Sequence, residues 1–161
     1  MEQDVFALTR GTAPLLVSIP HAGTLIPHAL ERRLTPAALQ RADVDWHLPR
    51  LYEFVHAMGA TVIAANYARH VIDLNRPPDD APMYPGASNT ELCPTRFFTG
   101  DSLYREGAAP GPTERAQRRE QIVWYEHAGR NAVPNRFGNL VIERNRALGV
   151  KFQVQSHERM L

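Results

Sequence analysis

The stretch Pro14-Leu15-Leu16-Val17-Ser18-Ile19-Pro20, followed at once by His21-Ala22-Gly23, is the part of the sequence that decides the fold class. A short apolar, partly β-branched run that ends at a proline is typical of a buried strand that ends at a loop. Residues 61–65 and 71–74 have the same character and predict two more strands. Residues 45–58 predict a helix, because their apolar side chains recur every three or four positions and Gly59 follows. The order strand, helix, strand predicts an α/β fold with a mostly parallel sheet.

Outside that unit the sequence predicts two helices and a long irregular region. Thr35 and Pro36 suit the first positions of a short helix over residues 37–41. The stretch 77–112 is rich in proline, glycine and polar residues, which predicts irregular structure of a length that often carries function. A polar helix is predicted from residue 115 to about residue 127.

Composition and charge exclude several classes of protein. The 161 residues fit one domain, and 18 basic against 17 acidic residues give no field that would attract nucleic acid or an anionic membrane. The single cysteine, Cys93, excludes an internal disulfide and metal sites of the CxxC type. The start of the chain has no basic segment, and no apolar run is long enough to span a bilayer. We therefore expect a cytoplasmic protein without nucleic-acid or membrane partners.

Composition also divides the chain near residue 130. Up to Arg130 the sequence is rich in alanine and proline, whereas the remainder contains the only lysine, Lys151, and is richer in asparagine, valine and phenylalanine. We interpret residues 1–130 as part of one domain and residues 131–161 as a divergent tail that is unrelated to it. The alternative is an ordinary carboxy-terminal segment of strands and turns.

A first group of polar residues has the character of a metal site. His21 follows the first predicted strand, and ligands bind at the carboxyl ends of strands in open α/β sheets. Asp43, Asp45 and His47 lie at the start of the predicted helix, where Asp43 could instead cap the helix. A histidine and an aspartate suit a zinc-type ion, but a catalytic site needs a third protein ligand. An isolated histidine is more often a buried one bonded to a backbone carbonyl, and the position and neighbours of His21 are what favour a metal ligand.

A second group of polar residues surrounds the third predicted strand. Arg69, Asn75 and Arg76 suit a substrate with a free carboxylate, because guanidinium groups bind carboxylates through paired hydrogen bonds. Asp73 is placed to orient one of the arginines. The alternative is a surface network of ion pairs. Cys93 is a weak candidate for a nucleophile, because nothing near it in sequence would lower the pKa of its thiol.

The same residues carry a resemblance to a known family. Over roughly residues 10–120 the sequence resembles the amino-terminal half of N-formylglutamate amidohydrolases, also called N-formylglutamate deformylases. The similar motifs are Leu15-Leu16-Val17-Ser18-Ile19-Pro20-His21-Ala22-Gly23, Asp43-Val44-Asp45-Trp46-His47, Arg50-Leu51-Tyr52, Tyr67-Ala68-Arg69, Val71-Ile72-Asp73-Leu74-Asn75-Arg76-Pro77, Tyr84-Pro85-Gly86, Leu92-Cys93-Pro94-Thr95 and Leu103-Tyr104-Arg105. So many short motifs in one order are far more specific than any one of them.

The resemblance implies an α/β fold that is zinc-carboxypeptidase-like (phosphorylase/hydrolase-like). It implies hydrolysis of N-formyl-L-glutamate to formate and L-glutamate, a step of histidine catabolism. By motif, His21 and Asp45 would bind zinc or another divalent metal. Asn75 and Arg76, supported by Arg69, would hold the carboxylate of this small-molecule substrate.

The chain also departs from the family. Members continue with an Asp-Ala-His-Ser type motif that supplies another metal-binding histidine, and with a later acidic residue suited to general-base work. The nearest segment here, Gln155-Ser156-His157-Glu158, lacks the aspartate, so His47 and His157 are the remaining candidates for a third ligand. We expect a truncated, impaired enzyme with no identified general base, whose uncovered apolar face favours self-association. A related N-acyl amino acid deacylase and a non-catalytic carboxylate-binding domain remain alternatives.

Overall fold

A computed structural model describes residues 4–82, 89–132, 140–145 and 149–154. Its strands are β1 (Phe6–Thr9), β2 (Leu16–Ile19), β3 (Thr61–Ala65), β4 (Leu140–Asn145) and β5 (Gly149–Val154). They form one sheet in the order β1-β3-β2-β4-β5. β2 pairs in parallel with β3 and β4, whereas β1 and β5 pair antiparallel at the two edges. The α/β class is confirmed, but the sheet is mixed rather than mostly parallel.

The helices are α1 (His28–Glu31), α2 (Pro36–Leu39), α3 (Leu48–Leu51), α4 (Phe54–Ala57) and α5 (Pro112–Ala132). The short helix predicted over 37–41 is α2, where the Thr35 side chain accepts a hydrogen bond from the Ala38 amide and Pro36 occupies the first turn. The polar helix predicted from residue 115 is α5, which begins three residues earlier. No helix in the described ranges is both long enough and apolar enough to cross a membrane.

The two central strands separate two apolar cores. Because side chains alternate across a strand, Leu16 of β2 and Ile63 of β3 face one side, and Val17 and Val62 face the other. The first side is covered by α5 through Tyr125, whose hydroxyl is hydrogen bonded to that of Ser18. The second side is covered by α3 and α4. Burial on both faces explains why these two strands were the ones that an apolar run predicted.

The predicted strand at residues 71–74 is not formed. All four side chains are buried, but their backbone bonds belong to turns: the Val71 amide donates to the Ala68 carbonyl, and the Arg76 amide donates to that of Asp73. The Asp73 amide donates to the Leu92 carbonyl, in the irregular region. An apolar run of this length indicates burial, and burial here is reached in a turn rather than in a sheet.

The single helix predicted over residues 45–58 is also wrong. The structure has two short helices, α3 and α4, with a break at Tyr52 and Glu53. The apolar pattern contains two stripes with the same three-and-four spacing. Leu48, Tyr52 and Val55 pack on the core. Leu51, Phe54 and Met58 form the other stripe and are exposed, as is Trp46. Gly59 does end the segment, with the positive φ of 73° that favours glycine.

The carboxy-terminal segment extends the same sheet in the residues that the structure describes. β4 lies beside β2, with Val141 opposite Leu16, and β5 returns antiparallel to β4. The described part of this segment consists of these two strands, and both interpretations of residues 131–161 stay predictions. Whether the segment is unrelated in origin to residues 1–130 remains a prediction.

Candidate functional site

His21 lies immediately beyond the carboxyl end of β2, where the first strand prediction placed it. The residue is 3% exposed. The loop that carries it passes very close to the chain after β3, and a Cβ atom at Gly23 would lie 2.2 Å from the Tyr67 carbonyl oxygen. Only glycine permits that approach, so Gly23 allows the loop after His21 to lie against the chain that follows β3.

Asp45 is the carboxylate that the backbone brings to His21. The Asp45 amide donates a 2.9 Å hydrogen bond to the His21 carbonyl, so the turn before α3 is tied to the end of β2. The Asp45 Oδ2 atom lies 3.6 Å from His21 Nδ1. Asp43 turns to the other side, where its carboxylate lies 3.6 Å from Nε2 of His70. Neither aspartate caps α3, whose amino-terminal position is His47 without a side-chain cap.

Asp73 is the centre of the site. One carboxylate oxygen accepts a 2.7 Å hydrogen bond from His21 Nε2 and a 3.0 Å bond from the Asn75 amide. The other accepts a 2.5 Å bond from Arg69 and lies 3.4 Å from Nε of Arg76. A single buried carboxylate therefore connects the predicted metal-binding histidine to both predicted substrate-binding arginines.

The buried charges in this cluster shift each other's protonation. Burial alone would lower the pKa of His21, but its hydrogen bonds to Asp45 and Asp73 outweigh burial and raise that pKa. Burial alone would raise the pKa of Asp73, yet the hydrogen bond and charge of His21 and the charge of Arg69 hold it well below its usual range. Asp73 is therefore ionised throughout the physiological pH range, and it accepts the proton of His21 Nε2.

The two arginines are buried rather than spread over the surface, which excludes the alternative of a surface ion-pair network. Arg69 lies beneath the ring of Phe98, with its central carbon 4.7 Å from the ring centroid, a cation–π contact. Arg76 donates a 3.0 Å hydrogen bond to the Thr90 hydroxyl, and its other terminal nitrogen lies 3.4 Å from the Asn89 side-chain oxygen. Buried arginines fixed in this way can present their remaining N–H groups to an anion.

The histidine and Asp45 fit the first two positions of a metal site. Two ligands about 2.0–2.1 Å from a tetrahedral zinc lie roughly 3.4 Å apart, close to the 3.6 Å between His21 Nδ1 and Asp45 Oδ2. His21 also has the carboxylate partner on its second nitrogen, Asp73, that metal-binding histidines commonly have. The donor types and their arrangement therefore suit zinc.

A third ligand is not found in the described part of the chain. No group of three histidine, cysteine, aspartate or glutamate side chains that could hold a metal occurs there. His47, one of the two candidates, is exposed at a left-handed position before α3. His157, the other, lies outside the described residues.

Cys93 is removed as a candidate nucleophile. The side chain is buried in the core on the α5 side of the sheet, among apolar residues. Burial raises the pKa of its thiol to about 11, so the thiolate is scarce at neutral pH.

Three residues of the site or its border were not expected from sequence. Thr90 bonds an arginine, Phe98 covers one, and His70 is fully buried beside Asp43. His70 was visible between Arg69 and Val71, but nothing in the local pattern indicated its burial. Thr90 and Phe98 lie in the irregular region. Without a helix or strand period, the spacing of residues there does not predict which way a side chain points.

Comparison with known proteins gives consistent matches over the same region. The profile of the N-formylglutamate amidohydrolase family matches residues 13–128. An N-formylglutamate deformylase of Pseudomonas putida is 46% identical over 125 residues, covering 78% of this chain and 46% of that protein. An N-formylglutamate deformylase of Pseudomonas aeruginosa is 48% identical over 112 residues, covering 70% of this chain and 42% of that protein. The chain thus spans about half the length of the curated relatives it matches.

Solved structures agree at the level of the fold. A crystal structure of N-formylglutamate amidohydrolase from Ralstonia eutropha is similar with a TM-score of 0.58 and 26% identity, covering 81% of this chain and 51% of that one. A gene product of Agrobacterium tumefaciens has the same TM-score at 18% identity, covering 81% of this chain and 50% of that one. The arrangement of strands and helices is therefore one that solved proteins share.

Proposed function

The chain belongs to the N-formylglutamate amidohydrolase family. We propose that it carries the substrate-binding residues and two metal ligands of a site for the metal-dependent hydrolysis of N-formyl-L-glutamate to formate and L-glutamate, with impaired turnover in this chain. In this proposal His21 and Asp45 bind the metal, and Arg69, Asn75 and Arg76 bind a carboxylate of the substrate. None of these five residues is proposed as the general base or the third metal ligand.

The observation that carries the proposal is the position of Asp73 between the two halves of the site. Its carboxylate accepts a hydrogen bond from His21 on one side and contacts Arg69 and Arg76 on the other. A hydrolase of a small anionic substrate needs a metal-binding group and an anion-binding group at a fixed separation. The buried Asp73 carboxylate holds His21 and the two arginines at a fixed distance from each other, because it contacts all three.

The residues near the metal position act by orientation. Asp73 holds the proton on His21 Nε2, which leaves Nδ1 directed to the side of Asp45. When bound, the metal would supply the Lewis acidity that activates water near neutral pH and polarises the scissile carbonyl. Zinc is the metal we propose, because imidazole and carboxylate donors at this separation suit it.

The residues near the substrate act by charge and direction. Arg69 and Arg76 both contact the one carboxylate of Asp73, so the group has more buried positive than negative charge on this side. A substrate carboxylate would correct that imbalance through charge-assisted hydrogen bonds. Asn75, whose amide is bonded to Asp73, lies next to Arg76 and is half-buried.

Two finer properties follow from the resemblance and are part of the proposal. We propose that the sheet is related to that of zinc carboxypeptidases. We also propose that the protein acts in histidine catabolism in the cytoplasm.

The test uses the purified chain, supplied with zinc, and two histidine variants. We expect weak zinc binding by the unchanged chain and none by His21→Ala. His56→Ala is the control, because it changes an exposed histidine of α4, and it should retain the zinc binding. N-formyl-L-glutamate should bind in calorimetry, with formate release near the uncatalysed rate, because catalytic zinc normally has three protein ligands.

The outcomes separate the proposal from its rivals. Stronger binding of N-acetyl-L-glutamate than of the formyl compound would indicate a deacylase of another substrate. No binding of N-formyl-L-glutamate, or zinc binding that is unchanged in His21→Ala, would overturn the proposed function. Tight stoichiometric zinc with turnover that His21→Ala abolishes would show that a complete site forms.

A further inference from the structure

Thr90 lies between the two arginines of the site. Its hydroxyl oxygen accepts a 3.0 Å hydrogen bond from Nη2 of Arg76 and a longer one, 3.5 Å, from Nη2 of Arg69. The residue is 7% exposed. A buried hydroxyl in contact with two guanidinium groups is constrained by both of them.

The hydroxyl has one hydrogen to donate and two lone pairs to accept with. Guanidinium groups only donate, so both contacts use lone pairs and the hydroxyl proton points away from Arg69 and Arg76. In the part of the chain that the structure describes, no acceptor receives a hydrogen bond from Thr90. A buried donor left without an acceptor costs free energy, so the native protein benefits if something accepts from it.

The surroundings determine what kind of acceptor is favoured there. Asp73 is the carboxylate that contacts both guanidinium groups, and its other oxygen is already bonded to His21 and to the Asn75 amide. Two arginine charges are therefore balanced by one carboxylate that is shared with a histidine. The acceptor that suits both the arginines and the hydroxyl proton is a second carboxylate.

We propose that Thr90 is a substrate-binding and specificity-determining residue, whose hydroxyl donates a hydrogen bond to the same substrate carboxylate that Arg69 and Arg76 bind. This inference rests on the proposed function, and it adds a neutral donor to the two cationic ones. Three donors that converge from fixed directions favour a planar carboxylate over a primary amide, because the amide nitrogen cannot accept from any of them.

The test measures binding of three small molecules to the full chain by calorimetry, with zinc present. L-glutamate has both carboxylates, L-glutamine has an amide at the side-chain position, and L-isoglutamine has an amide at the α position. None of them carries the formyl group, so turnover does not disturb the measurement. Each is measured with the unchanged chain, with Thr90→Val, which removes the hydroxyl at nearly constant volume, and with Thr90→Ser, which restores it.

We expect Thr90→Val to weaken L-glutamate binding about 10-fold or more, the usual effect of losing a hydrogen bond to a charged group. Thr90→Ser should bind within about 3-fold of the unchanged chain. L-glutamine keeps only the α-carboxylate, and L-isoglutamine keeps only the side-chain carboxylate. The loss of affinity caused by Thr90→Val should persist for the compound that keeps the carboxylate bound by Thr90 and shrink for the other compound, which identifies that carboxylate. Thermal unfolding of each variant reports whether the fold is retained.

Several results would overturn the inference. Equal L-glutamate affinity in Thr90→Val would show that the hydroxyl does not contact the ligand. So would a loss in Thr90→Ser as large as that in Thr90→Val, or a Val penalty that is the same for all three ligands. If the unchanged chain binds none of the ligands, nor N-formyl-L-glutamate, the proposed function fails and this inference fails with it.

Discussion

Asp73 holds His21 by a 2.7 Å hydrogen bond between Oδ1 and Nε2, and both side chains are almost completely buried. The histidine comes from the end of β2, and the aspartate from a turn more than fifty residues later. The bond fixes the imidazole so that Nδ1 faces Asp45, and the second oxygen of Asp73 contacts the arginines. The two halves of the proposed site therefore depend on one side chain.

Replacing Asp73 by asparagine should destabilise the protein strongly. The amide keeps the shape of the carboxylate but leaves Arg69 and Arg76 buried without their counter-charge. Removing one partner of a buried ion pair typically costs about 3–5 kcal/mol. Urea unfolding of Asp73→Asn checks this, and Glu106→Gln makes the same chemical change at an exposed position. Equal stability of the two variants would show that the arginines find another counter-charge.

Replacing Arg76 by alanine should nearly abolish binding of L-glutamate. A charge-assisted contact in a desolvated site is worth about 2 kcal/mol or more, or roughly 30-fold in the dissociation constant. Calorimetry on Arg76→Ala and on Arg50→Ala, which removes an exposed arginine, makes the comparison. Unchanged affinity in Arg76→Ala would return Arg76 to a purely structural role.

The sequence predicted the parts of the fold whose apolar residues face only the core. β2 and β3 were found because both faces of each strand are covered, so that each run is apolar except for Ser18 and Thr61. β1, at the sheet edge, alternates between half-buried and exposed positions over only four residues and gave no such signal. The single helix over residues 45–58 was wrongly predicted because both its core-facing and its exposed stripe are apolar. Only the tertiary structure shows which stripe is buried.

In the site, too, the features visible in a local sequence pattern were predicted, and those that depend on tertiary structure were not. His21 was found because it follows a strand, and Arg69 and Arg76 because they cluster along the chain. The bond from His21 to Asp73 joins residues that are 52 positions apart, which no local pattern reveals. Thr90 was missed for the same reason. Its proposed role depends on its contacts with Arg69 and Arg76, which a separate turn brings to it.

The outer stripe of residues 46–58 predicts self-association. Leu51, Phe54 and Met58 expose more than half of their surface, and Trp46 adds to the same segment. Contiguous exposed apolar surface favours association. Sedimentation of the unchanged chain should show a concentration-dependent increase in mass, which the double variant Leu51→Glu with Phe54→Glu reduces and Glu53→Gln does not. A sedimentation mass equal to that of the monomer at all concentrations would contradict this prediction.

Cys93 should be unreactive in the folded protein. Burial in the core excludes reagents, and a thiol pKa of about 11 leaves little thiolate at pH 8. We expect modification by a disulfide reagent to proceed at the rate of unfolding, and to become fast and stoichiometric in denaturant. Fast modification without denaturant would show that the core between α5 and the sheet opens readily.

His70 should make the protein less stable in mild acid. Its side chain is 1% exposed, it packs edge-on against Phe97, and neither ring nitrogen has a hydrogen-bond partner among the described residues. Burial lowers the pKa of His70, the nearby Asp43 carboxylate offsets part of that effect, and the charge of Arg69 adds to it. The folded protein therefore favours the neutral imidazole.

The direction of the pH effect follows from that shift. As pH falls below about 6.5, the unfolded chain binds a proton at this histidine before the folded protein does, so stability falls with pH until the lower folded pKa is passed. Each unit of pKa difference corresponds to about 1.4 kcal/mol. The raised pKa of His21 acts in the opposite direction, because its stabilising effect is present at low pH and lost as pH rises.

The contribution of His70 to the pH dependence of stability is therefore obtained by comparing the unchanged chain with a His70 variant. Urea unfolding of the unchanged chain, of His70→Gln and of His56→Gln is measured between pH 5 and 8, a range chosen to bracket the ordinary histidine pKa of about 6.5. We expect the free energy of unfolding of His70→Gln to fall less steeply towards pH 5 than that of the unchanged chain, whereas His56→Gln follows it. A His70→Gln profile parallel to the other two would show that Asp43 holds the proton on His70 in the folded protein, and the predicted acid sensitivity would be wrong.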